Sequence, residues 1–228
     1  MALKYESVVP WGRLFEEYID MFRLSSSDLD KNILGCGDGP ASFNSTMTKK
    51  NKKVISIDPI YQLSKEAIEK RIEETYEIVL SQTSQNTDKF VWTKIKDVAE
   101  LGNIRMKAMK EFLDDYNLGK AEKRYIFAEL PTLPFKDLQF DLALSSHFLF
   151  LYTDNLSLDF HMKAIDEMLR VSKEVRIFPI LDVNAQKSPY VDKVIAKYNK
   201  EGYIAGEVKV NYEFQKGGNL MLRISSKE

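Results

Sequence analysis

Three glycines alternate at Gly35, Gly37 and Gly39, directly after a short apolar run, and a second apolar run, Val54-Ile55-Ser56-Ile57, ends on Asp58. Strand, glycine turn, helix, strand and terminal acid together make a cradle for a mononucleotide-like ligand. The glycines let the backbone approach the ligand, the helix N-terminus offers free N–H groups, and the acid accepts from two ribose hydroxyls. Asp58 precedes Pro59, so capping a turn is its competing role. Farther on, Ser145-Ser146-His147 is followed by the apolar run Phe148-Leu149-Phe150-Leu151-Tyr152. An imidazole against such a wall stays neutral and can accept a proton, although packing with a satisfied hydrogen bond explains a histidine there equally well. Arg13 and Arg105 are the candidate carboxylate clamps, with a solvated role open for Arg105. Trp11 and Tyr18 share the first helix with Arg13, and Trp11 also suits a core anchor. His161 reads as a packed side chain on a later helix. Two histidines and one cysteine without close ligand spacing argue against zinc, so no metal is expected.

The elements that must position these groups follow from periodicity. Residues 10–23 read as an amphipathic helix, with Leu14, Phe15, Tyr18, Ile19 and Phe22 on one face. Strands are expected at about 31–35, 54–58, 124–128, 140–145 and 174–178, with Pro40 in the first turn of the helix after the glycines. Helices follow at about 158–171 and 189–201. Two closing strands, around 206–214 and 219–225, flank Lys216-Gly217-Gly218-Asn219, a hairpin signal. Residues 59–123 are too long for one crossover and contain two helical patterns, 62–81 and 103–116. The second leads directly into the third strand and is assigned to the core. Residues 60–102 then form an insert at the carboxyl edge, either a lid carrying Tyr61 and Trp92 or a helix pair bracing the sheet edge.

At 228 residues the chain can fill one core, and its 44% hydrophobic and 29% charged residues are those of an ordinary soluble domain. A net charge of −1 provides no global attraction for nucleic acid or an anionic membrane. The basic run at 49–53 reads as a solvated turn. No apolar stretch approaches the roughly 20 residues of a membrane span, and the amino terminus has no signal-peptide core. The single cysteine, Cys36, fits a reducing compartment, and a cytoplasmic location is expected. There is no Gly-x-Ser-x-Gly elbow and no phosphate loop ending in Gly-Lys-Ser/Thr, which disfavours hydrolase and nucleoside triphosphatase readings.

Leu34-Gly35-Cys36-Gly37-Asp38-Gly39, with Asp58 behind it, resembles the first motif and ribose acid of class I S-adenosylmethionine-dependent methyltransferases. The resemblance continues in Ala128-Glu129 and in Leu133-Pro134-Phe135 followed by Phe140-Asp141, similar to the signature before the fourth strand in the small-molecule branch. It covers nearly the whole chain outside the insert and first helix. It implies one α/β domain over 1–228, with a Rossmann-like seven-stranded sheet, parallel except for one antiparallel strand from the terminal hairpin. Helices lie on both faces, a cap helix occupies 1–24, and a helical insert occupies about 60–102. The implied cofactor is S-adenosyl-L-methionine, held by Gly35, Cys36, Gly37, Asp38, Gly39, Asp58, Pro59, Glu129, Leu130 and Ser145, with Glu129 on the adenine amino group. His147 is the implied catalytic residue, and Trp11, Arg13, Arg105, His147 and Tyr152 the substrate side chains. Two departures stand out: Ile33 occupies the place of an acid that helps hold the methionine amino group, and no Pro-Gly-Gly turn precedes strand five.

The expected activity is methyl transfer to a small or medium-sized acceptor by in-line displacement, which needs alignment and a dry site more than a catalytic group. A non-catalytic cofactor-binding member of the fold is the alternative that Ile33 suggests. A nicotinamide dehydrogenase ranks lower, because its fingerprint calls for glycine where Pro40 stands. The expected partner is a small molecule, with no nucleic acid or membrane; oligomeric state is not encoded in these patterns.

Overall fold

The computed structural model describes residues 9–227, so 1–8 of the expected cap helix lie outside the described residues. Seven strands form one sheet in the order β3-β2-β1-β4-β5-β7-β6. They are β1 (Ile33–Cys36), β2 (Val54–Ile57), β3 (Tyr125–Ile126), β4 (Phe140–Ser146), β5 (Ser172–Phe178), β6 (Tyr203–Lys209) and β7 (Leu220–Ser226). The first five run parallel; β7 lies antiparallel to both β5 and β6. This is the Rossmann-like seven-stranded sheet of the sequence reading. Its order reverses between β1 and β4, and a crevice opens there at the carboxyl ends of the strands.

Strand alternation distributes the core between two faces. Leu34, Ala143, Val175 and Ile177 meet α5 (Leu158–Val171) and α6 (Val191–Lys200) through Ile165, Met168, Val194 and Tyr198. On the opposite face Ile33, Leu142, Leu144 and Phe178 pack against α1 (Phe15–Phe22) and α2 (Phe43–Lys49) through Tyr18, Phe22, Phe43 and Met47. Pro40 stands outside α2, three residues before it. The backbone there is bonded to the N-terminal segment, Ser42 N donating to Arg13 O at 3.0 Å, so the helix starts later than Pro40 suggested.

The long connection between β2 and β3 holds α3 (Lys65–Ser84) and α4 (Val98–Ala121), each started by a side-chain cap, Ser64 for α3 and Asp97 for α4. The core helix α4 therefore begins inside the stretch expected to be insert. Its Met109, Phe112, Leu113 and Tyr116 cluster with Ile68 and Ile72 of α3 and with Tyr61 and Tyr125. Tyr61 is fully buried in that cluster and belongs to the core rather than to a lid. α3 thus packs against α4, and its Val79 and Thr83 also line the crevice. The segment after α3 attaches to the β6–β7 connection: Val91 N donates to Phe214 O at 2.7 Å, Lys216 N to Lys89 O at 2.9 Å, and the Phe90 and Phe214 rings stack at 4.8 Å. Trp92 packs edge-on against Phe214. β3 is shorter than expected because β2 ends at Ile57, which pairs with Ile126; beyond that the edge chain has no partner and turns at Glu129–Thr132.

A buried ion network fastens the α1 region to the sheet. Arg176 on β5 donates to Phe22 O at 2.8 Å, to both oxygens of Asp28 at 3.2 Å and to Glu174 at 2.6 Å. Removing the guanidinium leaves two carboxylates with lost partners in the interior, so Arg176→Met is expected to cost about 3–5 kcal/mol, measured by urea unfolding.

Candidate functional site

A cavity of about 480 Å³ opens at the carboxyl edge, within the ~300–1,000 Å³ range of small-molecule clefts. One end is the glycine turn. Gly37 and Gly39 adopt left-handed conformations, at φ 68° and 52°, which other L-residues resist. Only an Asp58 oxygen lies within 4 Å of where a Gly39 Cβ would stand, so this face of the turn is open, whereas the Phe148 ring covers Gly37. Tyr61 OH donates to Gly39 O at 2.7 Å and braces the turn from behind.

Asp58 leaves the end of β2 and bridges two backbones. Its Oδ2 accepts from Gly39 N at 2.9 Å and its Oδ1 from Ile60 N at 2.8 Å, capping a short 3-10 turn over Pro59–Gln62. Each carboxylate oxygen carries two acceptor sites, so one remains on each oxygen after these bonds. Capping and ligand binding are therefore compatible roles. Burial raises the Asp58 pKa to about 6 against the lowering effect of both backbone bonds.

Asp38 turns inward. It accepts from the hydroxyls of Tyr18 at 2.9 Å and Ser56 at 2.6 Å, and burial, aided by the Asp58 charge, raises its pKa to about 6. A Cβ on Gly35 would stand 1.8 Å from the Asp38 carboxylate, so Gly35 makes room for that side chain.

Several sequence assignments meet at the cavity and others do not. Trp11, Arg13, Gly37, Asp38, Gly39, Asp58, Pro59, Glu129, Leu130, His147 and Tyr152 all line it. Gly35 and Cys36 do not: they are buried within β1, and Cys36 packs in the core with its thiol pKa pushed up by burial. Ser145 is also fully buried, its hydroxyl unpartnered and pointing away from the cavity wall, which Ser146 occupies instead. Arg105 is wholly inaccessible, committed to Glu17 at 2.5 Å and Tyr212 at 3.3 Å, and is a structural ion-pair residue. His161 is packed, its ring stacked on Phe150 and its Nδ1 2.8 Å from Ser157 O. The side chains that sequence reasoning missed are Ser146, Phe178, Tyr212 and Phe214, which reach the wall from the far ends of β4, β5 and the terminal hairpin.

His147 sits just past β4 with φ 52°, a conformation of a few per cent of non-glycine residues that concentrates at functional sites. Its N–H donates to Phe178 O at 2.6 Å and its ring meets Phe178 edge-on. Burial, then the charges of Arg13 and Arg105, push its pKa well below the usual imidazole value, so the ring is neutral at pH 7. Ser146 Oγ lies 3.0 Å from His147 Nδ1 and can donate or accept there according to the ring's tautomer.

The described residues include no helix long and apolar enough to cross a membrane. Over 223 residues the chain is 37% identical to the uncharacterized protein MJ0045 of Methanocaldococcus jannaschii, spanning 97% of this chain and 98% of that one. The chain belongs to the MJ0045 family. No family model matches it. Among solved structures it is similar to the PH0226 protein of Pyrococcus horikoshii, with a TM-score of 0.49 at 11% identity over 93% of this chain and 91% of that one. An S-adenosylmethionine-dependent methyltransferase of Aquifex aeolicus gives 0.44 at 15% identity over 91% and 90%. The magnesium protoporphyrin IX methyltransferase of Synechocystis gives 0.44 at 9% over 86% and 70%. Likenesses this distant add nothing to the fold that the strand order already defines.

Two outcomes are expected. In nuclear magnetic resonance spectra of histidine-labelled protein, the His147 ring is expected to stay neutral well below the pH at which a free imidazole protonates; a protonated ring at pH 7 contradicts it. Asp38 binds its proton more tightly folded than unfolded, so it lowers stability as pH rises from about 4 through about 6, and the penalty persists at pH 7. Asp38→Asn is therefore expected to gain about 1–3 kcal/mol relative to the parent protein between pH 4 and pH 7, read from urea unfolding at each pH.

Proposed function

We propose that this protein is an S-adenosylmethionine-dependent methyltransferase acting on a small or medium-sized acceptor. The observation that carries this reading is that one cavity joins two chemically distinct ends. One has the open glycine turn beside a carboxylate with spare acceptor sites; the other is an aromatic chamber containing a neutral histidine. At the first end the chain fits the nucleoside. Asp58 would accept from the two ribose hydroxyls, Pro59 and Leu130 would flank the base, and the exposed Glu129 carboxylate would take its amino group. The cofactor, when bound, supplies a methyl group on a sulfonium, which is a good leaving group.

The chain's own contribution lies in alignment and dryness. Phe148, Phe160, Phe178 and Phe214 exclude water from the chamber. The neutral His147 ring would take a proton from an acceptor hydroxyl, and Ser146 Oγ, 3.0 Å from its Nδ1, helps orient it. Enclosure within a cavity and the small net charge favour a small molecule over nucleic acid as partner, and the single buried cysteine favours the cytoplasm.

One observation favours a second reading, a cofactor-binding member without turnover. Ile33 is buried in the apolar core of β1, and Asp38 is engaged with Tyr18 and Ser56, so neither offers a free carboxylate to a methionine amino group.

Calorimetry with S-adenosylmethionine, S-adenosylhomocysteine and NAD tests the proposal. The two sulfur nucleosides are expected to bind, and Asp58→Ala to weaken them by roughly 1.5–3 kcal/mol through loss of charge-assisted hydrogen bonds. Binding of NAD alone, or an unchanged affinity in the variant, contradicts it.

A further inference from the structure

Arg13 is a cation in the cavity wall that forms no ion pair among the described residues. One terminal nitrogen donates to Trp11 O at 2.6 Å, its Nε is buried without any partner, and among the described residues no carboxylate forms an ion pair with it. The acid four residues on, Glu17, is engaged elsewhere. It accepts from Arg105 at 2.5 Å, Tyr212 OH at 2.9 Å and Leu14 N at 2.8 Å. Desolvation and the neighbouring Arg105 charge accordingly pull the Arg13 pKa below the usual arginine value. A half-buried guanidinium without a counter-ion, facing a cavity, offers a bound carboxylate charge-assisted hydrogen bonds.

Its place within the cavity narrows the source of that carboxylate. Arg13 lines the same cavity as His147 and the rings of Phe148, Phe160, Phe178 and Tyr212, and its charge, after burial, helps lower the His147 pKa.

We propose that the methyl acceptor is a flat, apolar molecule bearing a carboxylate, and that Arg13 binds this carboxylate while the ring lies among the aromatic walls. The proposal rests on the methyltransferase reading. Benzoate and its neutral isostere benzamide are the probes, titrated into protein saturated with S-adenosylhomocysteine and followed through the His147 resonances. Benzoate is expected to bind at least ~10-fold more tightly, in keeping with a charge-assisted pair. Arg13→Gln is expected to erase that preference and Arg13→Lys to keep part of it, both with unchanged affinity for S-adenosylhomocysteine, which also reports that each variant is folded.

Equal binding of the two probes to the parent protein overturns the proposal, as does a benzoate preference that survives Arg13→Gln. It is also overturned if Arg13→Gln weakens S-adenosylhomocysteine but not 5′-methylthioadenosine, which lacks the amino-acid portion, because Arg13 then holds the nucleoside's own carboxylate. Failure of the parent protein to bind S-adenosylhomocysteine strikes the cofactor reading instead, and the two probes compared on the free protein still decide Arg13.

Discussion

The buried carboxylate of Asp38 is the constraint on which the site's architecture depends. It draws together three elements distant in sequence: α1 through Tyr18, β2 through Ser56, and β1 through the space left by Gly35. A buried carboxylate is expensive unless its acceptors are occupied. The two hydroxyls meet that need, and in doing so they fix α1 over the sheet.

Asp58 shows the complementary logic. Its carboxylate is shared between the glycine turn and the turn that follows β2, so the cradle is organised by the protein's own backbone before any ligand arrives. Such preorganisation lowers the ordering cost of binding. The α1 anchor of Arg176, Asp28 and Glu174 does the same for the opposite wall, holding the segment that carries Trp11 and Arg13.

What the sequence revealed was local. The alternating glycines and the acid after the second strand are neighbours through one βαβ unit, and α5 could be placed from its 3.6-residue periodicity because one face is buried throughout. What it concealed was long-range. Nothing around Arg105 marks Glu17 and Tyr212 as partners, so a committed structural arginine resembled a free clamp. Tyr212 and Phe214 reach the cavity only because the terminal hairpin folds back across the sheet. Cys36 and Ser145 were placed with the site by motif position, yet strand alternation turns their side chains into the core. The start of α4 was obscured because Gly102 and Asn103, weak helix formers, interrupt its first turns, and the Asp97 cap marks where it begins.

The attachment of the segment after α3 to the terminal hairpin has a topological consequence. Two peptide hydrogen bonds and one ring stack join parts of the chain that are more than a hundred positions apart, and Phe90, Phe214 and Gln215 at the junction line the cavity. A change at this junction therefore alters the wall of the cavity from a point remote from the glycine turn.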